Sequence, residues 1–240
     1  MTDATKSATP RREPPPDDGR MKLAVFDLDG TITRRDSFVA FLWSWFKSHP
    51  GRWPHTPRLV AMAGVHKFGW RDNSWLKQRY LHVILGGVDR ERIAAHTATF
   101  LDGWLDRNVR PGAREELRRQ REQGSRLVLL TASIDVYAEE IGRRLGFDAV
   151  IATKVAWSSE GTLTGELASA NCERAEKVTR LEQYLAEEVD RPREGIFATA
   201  YGDDVKDVPI LDWADVGVAV GRRPKLHALA ASKGYAIEQW

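Results

Sequence analysis

Two carboxylates two residues apart, Asp27 and Asp29, stand where the apolar run 23–26 gives out. Such a run reads as a buried parallel strand, and open α/β sheets hold their ligands at the carboxyl ends of strands. Gly30 lets the backbone turn away sharply, so that both carboxylates can face one small ligand, one as nucleophile and the other as proton carrier. The plain alternative is a capped turn, because Asp, Gly and Thr are ordinary turn residues. Two more apolar runs end in polar groups: Thr131 follows Leu130, and Asp203 with Asp207 follows the run 196–201. Three carboxylates converging on one site repel each other unless a cation lies among them, and an all-oxygen set suits Mg²⁺. Lys177 at the start of a helix, with Arg174 as the second candidate, would balance charge on a phosphoryl group. The Thr131 hydroxyl and nearby backbone N–H groups, that of Gly30 included, would hold its oxygens.

The elements that must position these groups alternate. After the first strand comes a long, mostly helical stretch to about Val109, then a helix over 111–123 and an apolar strand over 126–130. A helix over 135–145, a short strand at 149–152, a hairpin turning at Gly161 within 155–167, and a helix over 173–188 follow. Strands at 196–201 and 216–220 complete the pattern. Strands alternating with helices imply a Rossmann-like, three-layer α/β/α core on a parallel sheet. The stretch 34–109 is too long for a plain crossover and reads as an inserted helical cap, leaving 21–33 and 110–240 as the core. Residues 1–20, rich in Pro and charge, read as a flexible tail with no secretory signal, and Met21 as a second possible start.

With 240 residues, 42% hydrophobic, the chain can bury a full core. Its single cysteine, Cys172, excludes an internal disulfide framework and a Cys-rich zinc site and fits the cytoplasm. A net charge of +2 with dispersed Lys and Arg argues against nucleic acid as a partner. The six histidines show no zinc spacing.

Taken together, Asp27-Leu28-Asp29-Gly30-Thr31, Thr131-Ala132-Ser133, Lys177 and Gly202-Asp203-Asp204-Val205-Lys206-Asp207 resemble the four motifs of haloacid dehalogenase-superfamily phosphatases, in order and over most of the chain. The resemblance is to the subclass whose helical cap follows the first strand. It implies Mg²⁺-dependent hydrolysis of a small phosphomonoester through an aspartyl-phosphate on Asp27, with Asp29 as acid and base. Asp27, the Asp29 carbonyl and Asp203 would bind the metal with Asp207 in support, and Thr131 and Lys177 would hold the phosphoryl group. Asp36 falls where phosphoserine phosphatases keep an acidic residue for the substrate ammonium, and Arg34 beside it is a second candidate for substrate choice. The Thr-Ala-Ser and Lys-Asp variants of the motifs look closer to a branch that includes phosphatidylglycerophosphate phosphatase-like members. A phosphate- or headgroup-binding module without catalysis is the other class, disfavoured by the intact Asp27 and Asp29 pair.

Residues 37–71 hold Trp43, Trp45, Trp53, Trp70, Phe38, Phe41, Phe46 and Phe68 with five Lys and Arg and no acid. Such a segment forms either the core of a small cap or a peripheral contact with an anionic membrane. It is too interrupted to span one.

Overall fold

The computed structural model describes residues 17–67 and 72–240. The expectations on residues 1–16, Phe68, Trp70 and Arg71 lie outside them. In β1 (Met21–Phe26), Leu23 and Val25 enter one apolar cluster and Ala24 and Phe26 the other, as in a strand covered on both faces. Among the described residues five α-helices precede the next strand, the first four being α1 (Ser37–Ser48), α2 (Thr56–Lys67), α3 (Asn73–Leu85) and α4 (Arg90–Asn108). Asp36, Asp72 and Asp89 cap α1, α3 and α4, each accepting the backbone N–H three residues on.

The chain then runs through α5 (Pro111–Glu122), β2 (Arg126–Ile134), α6 (Asp135–Leu145), β3 (Ala149–Thr153) and a hairpin of β4 (Val155–Trp157) and β5 (Leu163–Leu167). It ends with α7 (Ala175–Tyr184), β6 (Ile196–Gly202), α8 (Val208–Trp213), β7 (Val216–Val220), α9 (Pro224–Lys233) and β8 (Ala236–Glu238). Six strands form one parallel sheet in the order β3-β2-β1-β6-β7-β8, flanked by helices. The chain leaves β1 toward β2 on one side and returns to β6 on the other, so β1 lies at the point where strand order reverses and a crevice opens.

Three elements differ from the sequence reading. β2 continues to Ile134, and its pairing with β3 slips between Leu130 and Ile134, so Thr131, Ala132 and Ser133 sit in a bulge. A bulge re-aims side chains that a regular ladder would point into the flanking layers. The helix expected over 173–188 ends at Tyr184 and finishes as a π turn, Leu185–Val189. β8, short and only half-buried, lacked the apolar run by which a strand announces itself.

The apolar cluster on the Phe26 face continues through Phe41, Trp45, Leu81 and Leu101 of the inserted helices. Phe41, Trp45 and Phe46 are buried, while Trp43 and Trp53 remain 58% and 53% exposed, so the aromatic segment divides between core and surface. The hairpin packs on α3: a Cβ on Gly165 would lie 2.4 Å from His82 Cα, so the two backbones meet where only glycine fits.

Candidate functional site

The β1–β6 ladder reaches one residue past the strand, where the Asp27 N–H donates to the Tyr201 carbonyl (3.0 Å). This places the Asp27 side chain at the strand-order reversal. Lys177, in the first turn of α7 and 2% exposed, donates to Asp27 Oδ1 (2.7 Å) and Asp207 Oδ1 (2.6 Å). Burial works against its charge, but Asp207 and Asp27 outweigh it and hold the ammonium above the ordinary lysine range. Arg174 is exposed in the loop before α7 and does not line this crevice. Asp207 is fixed from its own side, Oδ2 accepting the N–H groups of Asp203 and Asp204 (3.2 Å each).

Asp27, Asp203 and Asp207 each bring a carboxylate oxygen within 4.8 Å of the others. Burial, then the neighbouring acids, raise Asp27 well above the usual carboxylate range, against the pull of Lys177. Burial raises Asp203 to about 6, against Arg223, whose Nε lies 3.0 Å from Asp203 Oδ2. Two carboxyls forced toward neutrality beside a third mark a deficit of positive charge, which a hard cation with oxygen ligands would fill. The residues present could hold such a metal.

Gly30 has a different duty from the phosphate contact expected of it. Its N–H donates to the Thr33 carbonyl (2.9 Å) within the loop, so it is not available to a phosphoryl oxygen. A Cβ on Gly30 would lie 2.2 Å from Asp203 Oδ2, and its φ is +94°. Gly30 therefore makes room for Asp203.

The Asp29 carboxylate turns away from the three acids toward the start of α1. Oδ1 accepts the Ser37 N–H (2.7 Å), and Oδ2 accepts the hydroxyls of Ser133 (2.6 Å) and Ser37 (2.9 Å). The Tyr137 hydroxyl in turn donates to Ser133 Oγ (3.0 Å). Burial and then the charge of Asp36 raise Asp29 to about 6, resisted by the Ser133 and Ser37 hydrogen bonds. A carboxyl so placed can carry a proton at neutral pH and give it up. If Asp29 contributes to a metal, its carbonyl is what remains for that role.

Thr131 is buried in the same crevice of about 260 Å³, and its Oγ1 accepts the Ser133 N–H (3.0 Å). Asp36 lines the mouth, whereas Arg34 is exposed and absent from the lining. Four residues in or behind the crevice were not anticipated. Ser133 stands two places beyond Thr131 and Ser37 follows a cap residue, so local sequence held a clue to each. Arg223 and Lys77 had none. Lys77 reaches from α3 to the Ala132 carbonyl (2.6 Å) and Asn171 Oδ1 (2.5 Å), and burial lowers it to about 8, resisted by the charges of Glu173, Asp36 and Asp29.

Residues 24–212 match the family model for haloacid dehalogenase-like hydrolases. The protein CicA of Caulobacter vibrioides is 33% identical over 198 residues, covering 80% of this chain and 83% of that one. A Bordetella pertussis protein of unknown function has the same fold, with a TM-score of 0.79 at 24% identity over 91% of this chain and 98% of its own. A phosphoserine phosphatase solved as a phospho-aspartyl intermediate analogue also shares it, with a TM-score of 0.60 at 17% identity over 91% and 92%. The strand-end acids, the buried lysine between them and the matched span agree: the chain belongs to the haloacid dehalogenase-like hydrolases.

Proposed function

We propose that this protein is a Mg²⁺-dependent phosphomonoesterase acting through an aspartyl-phosphate on Asp27. The observation that carries the reading is Lys177 bridging Asp27 and Asp207 while Asp203 approaches the same point. A nucleophile, a fixed cation and spare oxygen ligands meet there. An Asp27 oxygen attacks phosphorus, and the ester oxygen leaves with the Asp29 proton. Asp29, now ionised, takes a proton from water as that water attacks phosphorus, which frees the Asp27 carboxylate and inorganic phosphate. Thr131 donates to a phosphoryl oxygen, and Lys177 offsets the charge that gathers on Asp27 and phosphate. Asp27, Asp203 and Asp207 would hold Mg²⁺, which when bound neutralises phosphoryl oxygens.

The crevice presents both signs to the leaving group, Asp36 and Glu173 against Lys77. That favours a small polar alcohol, and an amino-acid phosphate in particular, consistent with the likeness to phosphoserine phosphatase. The test is phosphate release, with Mg²⁺ or EDTA, from p-nitrophenyl phosphate, phosphoserine, sugar phosphates, nucleotides and phosphatidylglycerophosphate, beside Asp27→Asn. Release that needs both metal and Asp27 supports the reading. Release that survives Asp27→Asn, or none from any member of the panel, sinks it.

A further inference from the structure

The outer face of α1 takes no part in the chemistry above. Val39, Trp43 and Lys47 recur at i, i+4 and i+8 and so share one side of the helix, away from the buried Phe41, Leu42 and Trp45. The Trp43 ring stacks near Phe46 (6.1 Å between centroids), and Trp53 Nε1 donates to the Phe46 carbonyl (3.1 Å), so the two indoles flank one residue. Lys47 Nζ stands 5.9 Å from the Trp43 ring centroid. Of the five large apolar side chains exposed among the described residues, Val39, Trp43, Trp53 and Val60 fall in this stretch, and only Val205 lies elsewhere. Scattered exposure would need no explanation; this clustering does.

Charge selects the occupant. Lys and Arg nearly balance Asp and Glu over the chain, 36 against 34, yet no acid occurs between Asp36 and Asp72. Arg52 is engaged by the Val83 and Gly86 carbonyls, while Lys47 and Arg58 are exposed. A groove of about 720 Å³ between α1 and α4 adds Arg35 and Arg107. A second copy set against this face would bring Arg35, Lys47, Arg58 and Arg107 against their own copies, with Asp36 the single acid lining the groove. Indoles beside cations are instead what the boundary of an anionic bilayer takes up, rings at headgroup depth and ammonium or guanidinium groups against lipid charge.

We propose that this face, centred on Val39, Trp43, Lys47 and Trp53, docks the protein on an anionic lipid bilayer. Asp36 lines both the groove and the catalytic crevice, so the docked protein holds the mouth of the crevice close to the lipid surface. Among the described residues no helix is long and apolar enough to cross a membrane, and the contact is peripheral.

Flotation with vesicles tests this without any turnover, so its outcome is independent of the phosphatase reading. The protein should float with phosphatidylcholine–phosphatidylglycerol vesicles at low salt, less so as salt rises, and not with phosphatidylcholine alone. Each unit of surface charge is worth about fivefold in binding, so Lys47→Glu should weaken it about twenty-five-fold, and Trp43→Ser should weaken it further. Neither residue lines the crevice, so p-nitrophenyl phosphate hydrolysis and circular dichroism should match the parent protein and exclude misfolding. Absence of flotation, equal binding to neutral vesicles, binding unchanged by Lys47→Glu, or a dimer in solution that Lys47→Glu dissociates would each overturn the proposal.

Discussion

Gly30→Ala separates two roles that a glycine beside the nucleophile can have. The new Cβ would lie 2.2 Å from Asp203 Oδ2 and 2.5 Å from its Cγ, where an ordinary contact begins near 3.4 Å. Asp203 must therefore retreat by about 1 Å, a displacement that costs on the order of 100-fold when it falls on a catalytic group. Alanine at φ +94° adds about 1–2 kcal/mol of backbone strain. Because the Gly30 N–H is already bonded to Thr33, no phosphate contact is lost. The defect should appear as a raised Mg²⁺ requirement and a fall in kcat, with KM for p-nitrophenyl phosphate at saturating metal little changed. Mg²⁺ titrations of initial rate, read beside the melting temperature, check this. A variant with the parent's Mg²⁺ dependence and a raised KM would refute the reasoning and return Gly30 to the phosphate.

Ser133→Ala removes a hydrogen bond that favours ionised Asp29. Such bonds to charged groups are worth about 1.5–3 kcal/mol, or roughly one to two pKa units. The Asp29 value should rise from about 6, carrying the high-pH limb of kcat/KM for an alkyl phosphate upward. The substrate's own ionisation is common to both proteins, so a limb that stays in place counts against the assignment. Lys177→Met should lower kcat by about 100-fold or more, while Arg174→Met leaves steady-state rates near the parent's; the reverse ranking would make Arg174 the phosphate cation. Trp45→Ala should cost about 3–5 kcal/mol in thermal or urea unfolding. Trp45→Phe should cost less, because it keeps an aromatic ring in the site and leaves a smaller cavity, while both variants remove a buried indole N–H that lacks a partner.

Asp27, Asp203 and Asp207 were legible in the sequence because each follows an apolar strand, and a parallel sheet gathers the ends of its strands on one edge. The choice of Lys177 over Arg174 could be leaned toward from the helix pattern, but only the packing of α7 against β2 and α8 puts one cation inside and leaves the other in solvent. Gly30 was read through its conformational freedom and as a phosphate contact; that its missing side chain matters to Asp203 is a contact across 173 positions, and nothing local encodes it. Lys77 and Arg223 reach the crevice from elements whose docking angle no periodicity reveals. Ser133 depended on a bulge that the apolar run 126–130 gave no cause to expect.

The inserted helices and the sheet share one apolar cluster, in which Phe26 and Tyr137 lie with Phe41, Trp45 and Leu81. A segment that shares its interior with the sheet cannot be cut out or exchanged as a module: freed from the sheet it would expose apolar side chains to water, and a transplanted replacement would have to fit Phe26 before it met any substrate. Substitutions that reshape the helices between β1 and β2 to alter the crevice should therefore also shift the melting of the sheet they pack on.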